Sequence, residues 1–282
     1  MKLIAVDLDG TLIKKDRSIS AENVRAIKAA QEEGDIVAVC SGRSLQDTED
    51  ILKTAGLDCP MMVGNGAWTY QDGKSIDQLV MPEEITEELL PDLENEGWYY
   101  EIYTNQGVIL LEGGKERLRA EVQKVQEENE EVTTAWAEEE MGIQYAQHGT
   151  GYMKDYRDVD PATAGIYKIF VLSFDQKRLK NLRDRMFPRT DVSLTSSGIT
   201  KLEIAHPSVS KGYALRRMAE EMGVPLENTA AIGDNLNDLS MFDVAGTSIA
   251  MGNAVEEVIE AGDHVTKSYM EDGVAYAIEH YL

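Results

Sequence analysis

Cysteine is scarce: Cys40 and Cys59 are the only two in 282 residues, too few for a disulfide framework and outside any Cys-x-x-Cys or Cys/His cluster. Cys40 ends an apolar run and reads as a small buried residue, not a nucleophile. The four histidines, His148, His206, His264 and His280, are scattered without metal-ligand spacing, so each reads as structural or exposed. Positive charge is also short. Against 51 acidic residues there are 27 basic ones, a net charge of −24 that disfavours nucleic acid and anionic lipid as partners. No stretch approaches the ~18 consecutive apolar residues of a membrane span, and the N-terminus lacks the basic-then-apolar order of a signal peptide. A cytoplasmic location away from membranes is therefore expected. There is no internal repeat and no low-complexity segment. What remains is 43% hydrophobic and 28% charged, ordinary for one large or two moderate globular domains.

The stretch Leu3 to Val6 is apolar throughout and runs into Asp7-Leu8-Asp9-Gly10-Thr11. It reads as a strand buried on both faces that ends abruptly in a turn. Two anions on the same side of an extended segment are costly unless a cation or a shared proton offsets them, and a divalent metal is the natural offset. Gly10 permits a positive-φ turn whose backbone N–H groups suit a phosphate oxygen. A plain polar turn accounts for such a tetrad in most chains, and a calcium loop fails on spacing: Gly10 is fourth and Ser18 twelfth, where that loop needs Gly sixth and Glu twelfth.

Further along, helix and strand patterns alternate. Ser20 caps a helix from Ala21 to about Glu33, and Ile36 to Cys40 forms a strand that meets Ser41-Gly42-Arg43. A helix over about Leu45 to Ala55 leads to Met61-Met62-Val63 and then Gly64-Asn65-Gly66, followed by two short strands around Asp72-Gly73. From Pro82 the pattern becomes more acidic and loses the strand-end signature. Here the spacing predicts helices over Glu83 to Glu96, Lys115 to Glu128 and Gln176 to Met186, and strands at Trp98 to Tyr103, Val108 to Leu111 and Ile166 to Phe174. The run Glu127 to Glu131 reads as solvated, and Tyr99, Tyr100 and Tyr103 read as sheet packing before substrate lining. The first pattern resumes at Leu202-Glu203-Ile204, then Ser210-Lys211-Gly212 opens a helix, and the strand Thr229 to Ile232 delivers Gly233-Asp234-Asn235-Leu236-Asn237-Asp238. The expected fold is α/β: a doubly wound, mainly parallel sheet core made of residues 1–82 and 200–282, with an α+β cap inserted over 83–199.

Four strand-end sites thus stand together, at Asp7/Asp9, Ser41-Gly42-Arg43, Lys211 and Asp234/Asn237/Asp238. Hard oxygen ligands from Asp7, Asp9 and Asp234 suit magnesium bridged to a phosphate, Ser41 and the Gly42 N–H can hold phosphoryl oxygens, and Lys211 adds a compact positive charge. With these four motifs in order the chain resembles the haloacid dehalogenase superfamily, and within it the Cof-type phosphatases with an inserted α/β cap. The turn Asn65-Gly66-Ala67 and the approach to Ser210-Lys211-Gly212 share in that resemblance, and Ser41 stands where Thr is frequent. It implies that Asp7 attacks phosphorus to form an aspartyl phosphate while Asp9 serves as acid and then base. It further implies magnesium held by the Asp7 carboxylate, the Asp9 backbone carbonyl and Asp234. Lys211, the Leu8 N–H, Ser41, Gly42 and Asn237 would spread the transition-state charge. Asp238 is expected to orient Lys211 or metal waters, Asn65 to touch the substrate or support the residues that do, and Arg43 to reach the leaving group or to pair with a nearby carboxylate. A small phosphorylated metabolite is the expected partner, and oligomeric state leaves no mark in the sequence. A phosphomutase shares the motifs, and a catalytically idle phospho-ligand binding protein is the alternative outside enzymes. A phospho-signalling receiver domain also gathers Asp, Ser/Thr and Lys around magnesium, but it has only ~120 residues and no inserted unit.

Overall fold

Leu3 to Val6 are wholly buried, as an uninterrupted apolar strand flanked by parallel neighbours must be. This strand is β1 (Leu3–Val6), followed by α1 (Ala21–Glu32), β2 (Ile36–Cys40), α2 (Leu45–Thr54), β3 (Met61–Val63), β4 (Trp68–Gln71) and β5 (Lys74–Gln78). The next elements are α3 (Glu83–Asn95), β6 (Tyr99–Thr104), β7 (Gly107–Leu111), α4 (Gly114–Gln126), α5 (Thr134–Tyr145) and β8 (Thr150–Met153). They continue with α6 (Pro161–Ala164), β9 (Lys168–Leu172), α7 (Gln176–Met186), β10 (Ser193–Thr195) and β11 (Lys201–Ala205). The chain closes with α8 (Lys211–Glu221), β12 (Thr229–Gly233), α9 (Leu239–Phe242), β13 (Thr247–Ala250), α10 (Glu256–Ala261), β14 (His264–Val265) and α11 (Gly273–Tyr281). These elements belong to a computed structural model that describes residues 1–127 and 131–282, so the predicted helix end at Glu128 and the middle of the Glu127 to Glu131 run lie outside the described residues.

Two units emerge, one formed by Met1–Leu79 with Ser208–Leu282 and the other by Val80–Pro207. The first holds a sheet of order β14-β13-β12-β1-β2-β3-β4-β5. Its strands run parallel from β14 to β3, and the β3-β4-β5 edge is antiparallel. The chain leaves β1 towards β2 and returns to its other side as β12. β1 is therefore the switch point, where an open α/β sheet leaves a crevice at its carboxyl ends. One sheet face, including Leu3, Ala5, Ala38, Cys40, Met62 and Ala231, packs on Ala214, Leu215 and Met218 of α8 and on Met241 and Phe242 of α9. α1 and α11 pack against each other, with the buried Asn23 Oδ1 accepting from the Ala275 N–H at 2.9 Å.

The second unit holds a six-stranded sheet of order β10-β11-β9-β6-β7-β8. It corrects one sequence expectation. Leu202-Glu203-Ile204 does not resume the core: β11 pairs antiparallel with β9, Leu202 opposite Val171 and Ile204 opposite Ile169. An apolar-polar-apolar triplet satisfies either sheet, and the choice is made by pairing at a distance, which local pattern does not carry. The stretch after the Glu run, which lacks a clear pattern, holds α5 and β8. Tyr99, Tyr100 and Tyr103 are all buried, with hydroxyls donating to Glu101, Glu94 and Gln147 respectively. Among the described residues no helix is long and apolar enough to cross a membrane.

Candidate active site

The residues of the four strand-end motifs, with Asn65, lie in the first unit, at the carboxyl ends of β1, β2, β3 and β12 and the start of α8. Asp7 leaves β1 almost buried, and Lys211, the first residue of α8 and wholly buried as a side chain, donates from Nζ to Asp7 Oδ1 and to Asp238 Oδ1, both at 2.6 Å. Ser210 caps that helix, its Oγ accepting from the Tyr213 N–H at 3.0 Å, which fixes where the lysine starts. Gly66 makes the approach possible. With φ +96 it lies so close that a Cβ there would come within 2.2 Å of the Ser210 carbonyl oxygen.

Asp238 is fully committed. Besides Lys211 on Oδ1, its Oδ2 accepts the backbone N–H groups of Asp234 and Asn235 at 2.9 and 3.0 Å, which curls the end of β12 back on itself. Asp234 Oδ1 accepts from the Thr11 hydroxyl at 3.0 Å. Asp7, Asp234 and Asp238 each bring one carboxylate oxygen within 4.8 Å of the others. Gly10, at φ +82, passes so near that a Cβ would lie 2.4 Å from Asp234 Oδ2.

Electrostatics follow from this crowding. Burial is the main force raising Asp7 well above the usual carboxylate range, opposed by Lys211 and reinforced by Asp238 and Asp234. Asp234 is pushed up to about 6, by burial first and Asp238 second. Burial disfavours the charge on Lys211, but Asp238 and Asp7 outweigh it and hold the ammonium well above its ordinary pKa. The two directions compete for one contact. Two carboxylates share the Lys211 ammonium, and a third stands beside them, so three carboxylates face one cation. Those hard oxygen donors with a deficit of positive charge fit a divalent metal. Because Asp238 is spent on Lys211 and backbone N–H groups, Asp7 and Asp234 are the carboxylates suited to hold it. Cys40 lies beneath, its thiol pushed up to about 12 by burial.

On the other side of β1, Ser41 is buried, with its backbone N–H on the Met62 carbonyl at 2.8 Å and its Oγ accepting from the Arg43 N–H at 3.1 Å. Asn65 sits in the left-handed region at φ 59 and accepts on Oδ1 from Asn237 Nδ2 at 3.1 Å. Ser41, Gly42, Asn65 and Asn237 thus converge, since a Cβ on Gly42 would lie 3.1 Å from Asn65 Oδ1. Leu8 is buried and its carbonyl closes the turn by accepting from the N–H groups of Thr11, Leu12 and Ile13. The Asp9 carboxylate stands apart from the other three. Half exposed, it accepts from Arg43 Nε and NH2, both at 2.7 Å. Arg43 pairs with carboxylates, as one of its two expected roles required.

Sequence reasoning assigned no role to Thr11, Asp47, Arg17 or Asn253. Asp47 takes Arg43 NH1 and Arg17 NH2, each at 2.5 Å, and Asn253 Nδ2 donates to the Gly10 carbonyl at 2.8 Å. Thr11 was visible beside the first motif; nothing local marks the other three.

Carboxylates, a buried lysine and hydroxyl and amide groups gathered at the carboxyl ends of a switch-point sheet suit chemistry on a phosphate-like anion. The profile of the haloacid dehalogenase-like hydrolases matches residues 4–278. Phosphatase YwpJ of Bacillus subtilis is 34% identical over the full length of both chains. The 5-amino-6-(5-phospho-D-ribitylamino)uracil phosphatase YwtE of the same organism is 37% identical, covering 100% of this chain and 98% of its own. A solved structure of a haloacid dehalogenase-like hydrolase from B. subtilis superimposes with a TM-score of 0.87 at 34% identity, covering both chains completely. The chain belongs to the haloacid dehalogenase-like hydrolases and is a phosphoric monoester hydrolase.

Proposed function

We propose that the enzyme is a magnesium-dependent phosphatase that hydrolyses a small phosphorylated metabolite, such as a sugar phosphate or nucleotide, through an aspartyl phosphate, an acyl phosphate on Asp7. The observation that carries this is the pairing of a buried Asp7, charge-matched by Lys211, with an exposed Asp9 two residues on. Asp7 attacks phosphorus; its new O–P bond forms as the bond to the alcohol breaks, and Asp9 gives its proton to the departing oxygen. Asp9, now a carboxylate, takes a proton from water as that water attacks the aspartyl phosphate. Inorganic phosphate leaves, and both aspartates return to their starting forms. Lys211, Ser41, the N–H groups of Leu8 and Gly42, and Asn237 would share the phosphoryl charge, and Asn65 would hold Asn237 in place. Asp7, Asp234 and the Asp9 carbonyl would hold magnesium, which would supply the positive charge that lets an anionic nucleophile meet an anionic substrate.

The second unit would choose the substrate. The name of the relative YwtE suggests a pyrimidine bearing a phosphorylated sugar alcohol as one member of the panel to test. The acidic, cysteine-poor composition fits an enzyme of the cytoplasm. Phosphate release from a panel of phosphorylated metabolites should require added magnesium and stop with excess chelator. Full activity in chelator would end the metal-dependent scheme.

A further inference from the structure

Four charges of alternating sign lead away from the mouth of the site: Asp9, Arg43, Asp47 and Arg17. Arg43 grips Asp9 with Nε and NH2, turns NH1 to Asp47 Oδ2, and Asp47 Oδ1 receives Arg17 NH2. Exposure falls along the row and rises again, with side chains 55%, 12%, 0% and 26% accessible. Asp47 sits in the first turn of α2, where its own N–H goes to the Ser44 hydroxyl, and Arg17 reaches it from a backbone at φ 67, a conformation unusual for a side-chain-bearing residue.

Stability is a poor explanation for this arrangement. A buried ion pair roughly breaks even against apolar packing, and a half-exposed pair such as Arg43 with Asp9 adds little. Orientation is what the geometry supplies. A two-pronged guanidinium fixes the plane of a carboxylate while occupying one lone pair on each oxygen, so the other lone pairs can carry a proton. Such a fork is only as fixed as its third edge, and in Arg43 that edge is held by a carboxylate with no exposure at all. Arg17 supplies a second guanidinium to the same carboxylate, so that both Asp47 oxygens are held, one by each arginine.

We infer that Asp47, anchored by Arg17, is a positioning residue that fixes Arg43 and, through it, the Asp9 carboxylate for proton transfer to the leaving group. This rests on Asp9 being the acid and base proposed above. The test is single-turnover release of the leaving group from an alkyl phosphate and from nitrophenyl phosphate, with Asp9→Asn as reference. Asp47→Asn should slow the alkyl phosphate on the order of 10- to 10²-fold, as misplacing a catalytic group by about 1 Å does. Nitrophenyl phosphate, whose leaving oxygen needs no proton, should change far less, and KM for both should hold. Arg17→Gln should shift the ratio in the same direction, with Arg17→Lys restoring part of it, and carries the test if Asp47→Asn fails to fold. In the Asp9→Asn background Asp47→Asn should add nothing to the ratio. If Asp9→Asn discriminates between the substrates but neither the Asp47 nor the Arg17 variant does, or if the losses add, the inference falls. Failure of Asp9→Asn itself to discriminate overturns the acid-base role on which it depends.

Discussion

Asp7 and Asp9 are two residues apart and stand in opposite surroundings, the first 8% exposed beside Lys211 and the second 55% exposed beside Arg43. That difference suits a nucleophile kept from solvent and a proton carrier in reach of it. Asp9→Asn keeps the side chain's shape and the backbone carbonyl, so magnesium affinity should change little while an alkyl phosphate loses a factor on the order of 10²–10⁴ in its first step. Attack on nitrophenyl phosphate should survive better than the water step that follows. Stopped-flow mixing should then show a burst of nitrophenolate near the enzyme concentration, and equal losses without a burst would return Asp9 to a structural role. The carboxylates were legible because an apolar strand running into Asp is conspicuous in any sequence. Asp47 and Arg17 were not, because one lies in an ordinary helix turn and the other in a loop, and only the fold brings residues 30 apart together.

At the scale of elements, helices and strands of the first unit could be read from caps and apolar periodicity, with Ser20 and Ser44 both accepting backbone N–H groups where helices begin. The inserted unit was harder. α5 buries Ala137, Met141 and Gln144, a small, an apolar and a polar residue that give no stripe, and β11 carries an alternation that suits either sheet. Its central strands hold a buried polar row in place of a uniform apolar face. Glu101 of β6 accepts from the Tyr99 hydroxyl at 2.9 Å and Gln147 Nε2 at 3.2 Å, while Lys168 of β9 donates to Glu203 of β11 at 2.7 Å with its Nζ 3.9 Å from the Tyr103 ring centre. Burial pushes Glu101 up to about 7 from its ordinary 4.5, the hydrogen bonds from Tyr99 and Gln147 only partly opposing it. A carboxyl that holds its proton more tightly when folded stabilises fully below its unfolded pKa and loses that contribution as pH rises to its folded value. Unfolding free energy should therefore fall between pH ~4.5 and ~7 by an amount on the order of 3 kcal/mol from this group. Denaturant titrations across that range should show the slope in the native protein and its reduction in Glu101→Gln; an unchanged slope would show that another group titrates there.

For the whole molecule, the candidate site residues all come from the unit that the chain builds in two visits, Met1–Leu79 and Ser208–Leu282. Deleting Val80 to Pro207 and joining the ends with a short flexible linker should leave a cooperatively folding core that still cleaves nitrophenyl phosphate but no longer distinguishes among metabolites. Loss of the thermal transition would show that the core depends on the inserted unit. The overall plan was legible because composition and strand-end chemistry change together near residue 82. The return boundary was misplaced by one strand, for the pairing reason given by β11.

The proposed nucleophile is an oxygen, and both sulfurs are shut away. Cys40 and Cys59 are buried, and burial pushes each thiol up to about 12, leaving almost no thiolate at neutral pH for an oxidant to attack. Brief peroxide treatment that silences phosphatases with a catalytic cysteine should leave this enzyme's turnover intact; inactivation that dithiothreitol reverses would contradict this. A cell whose thiol phosphatases have been switched off by oxidative stress would thus keep this hydrolase running, and the pool of its substrate would go on draining while thiol-controlled phosphate pools rise.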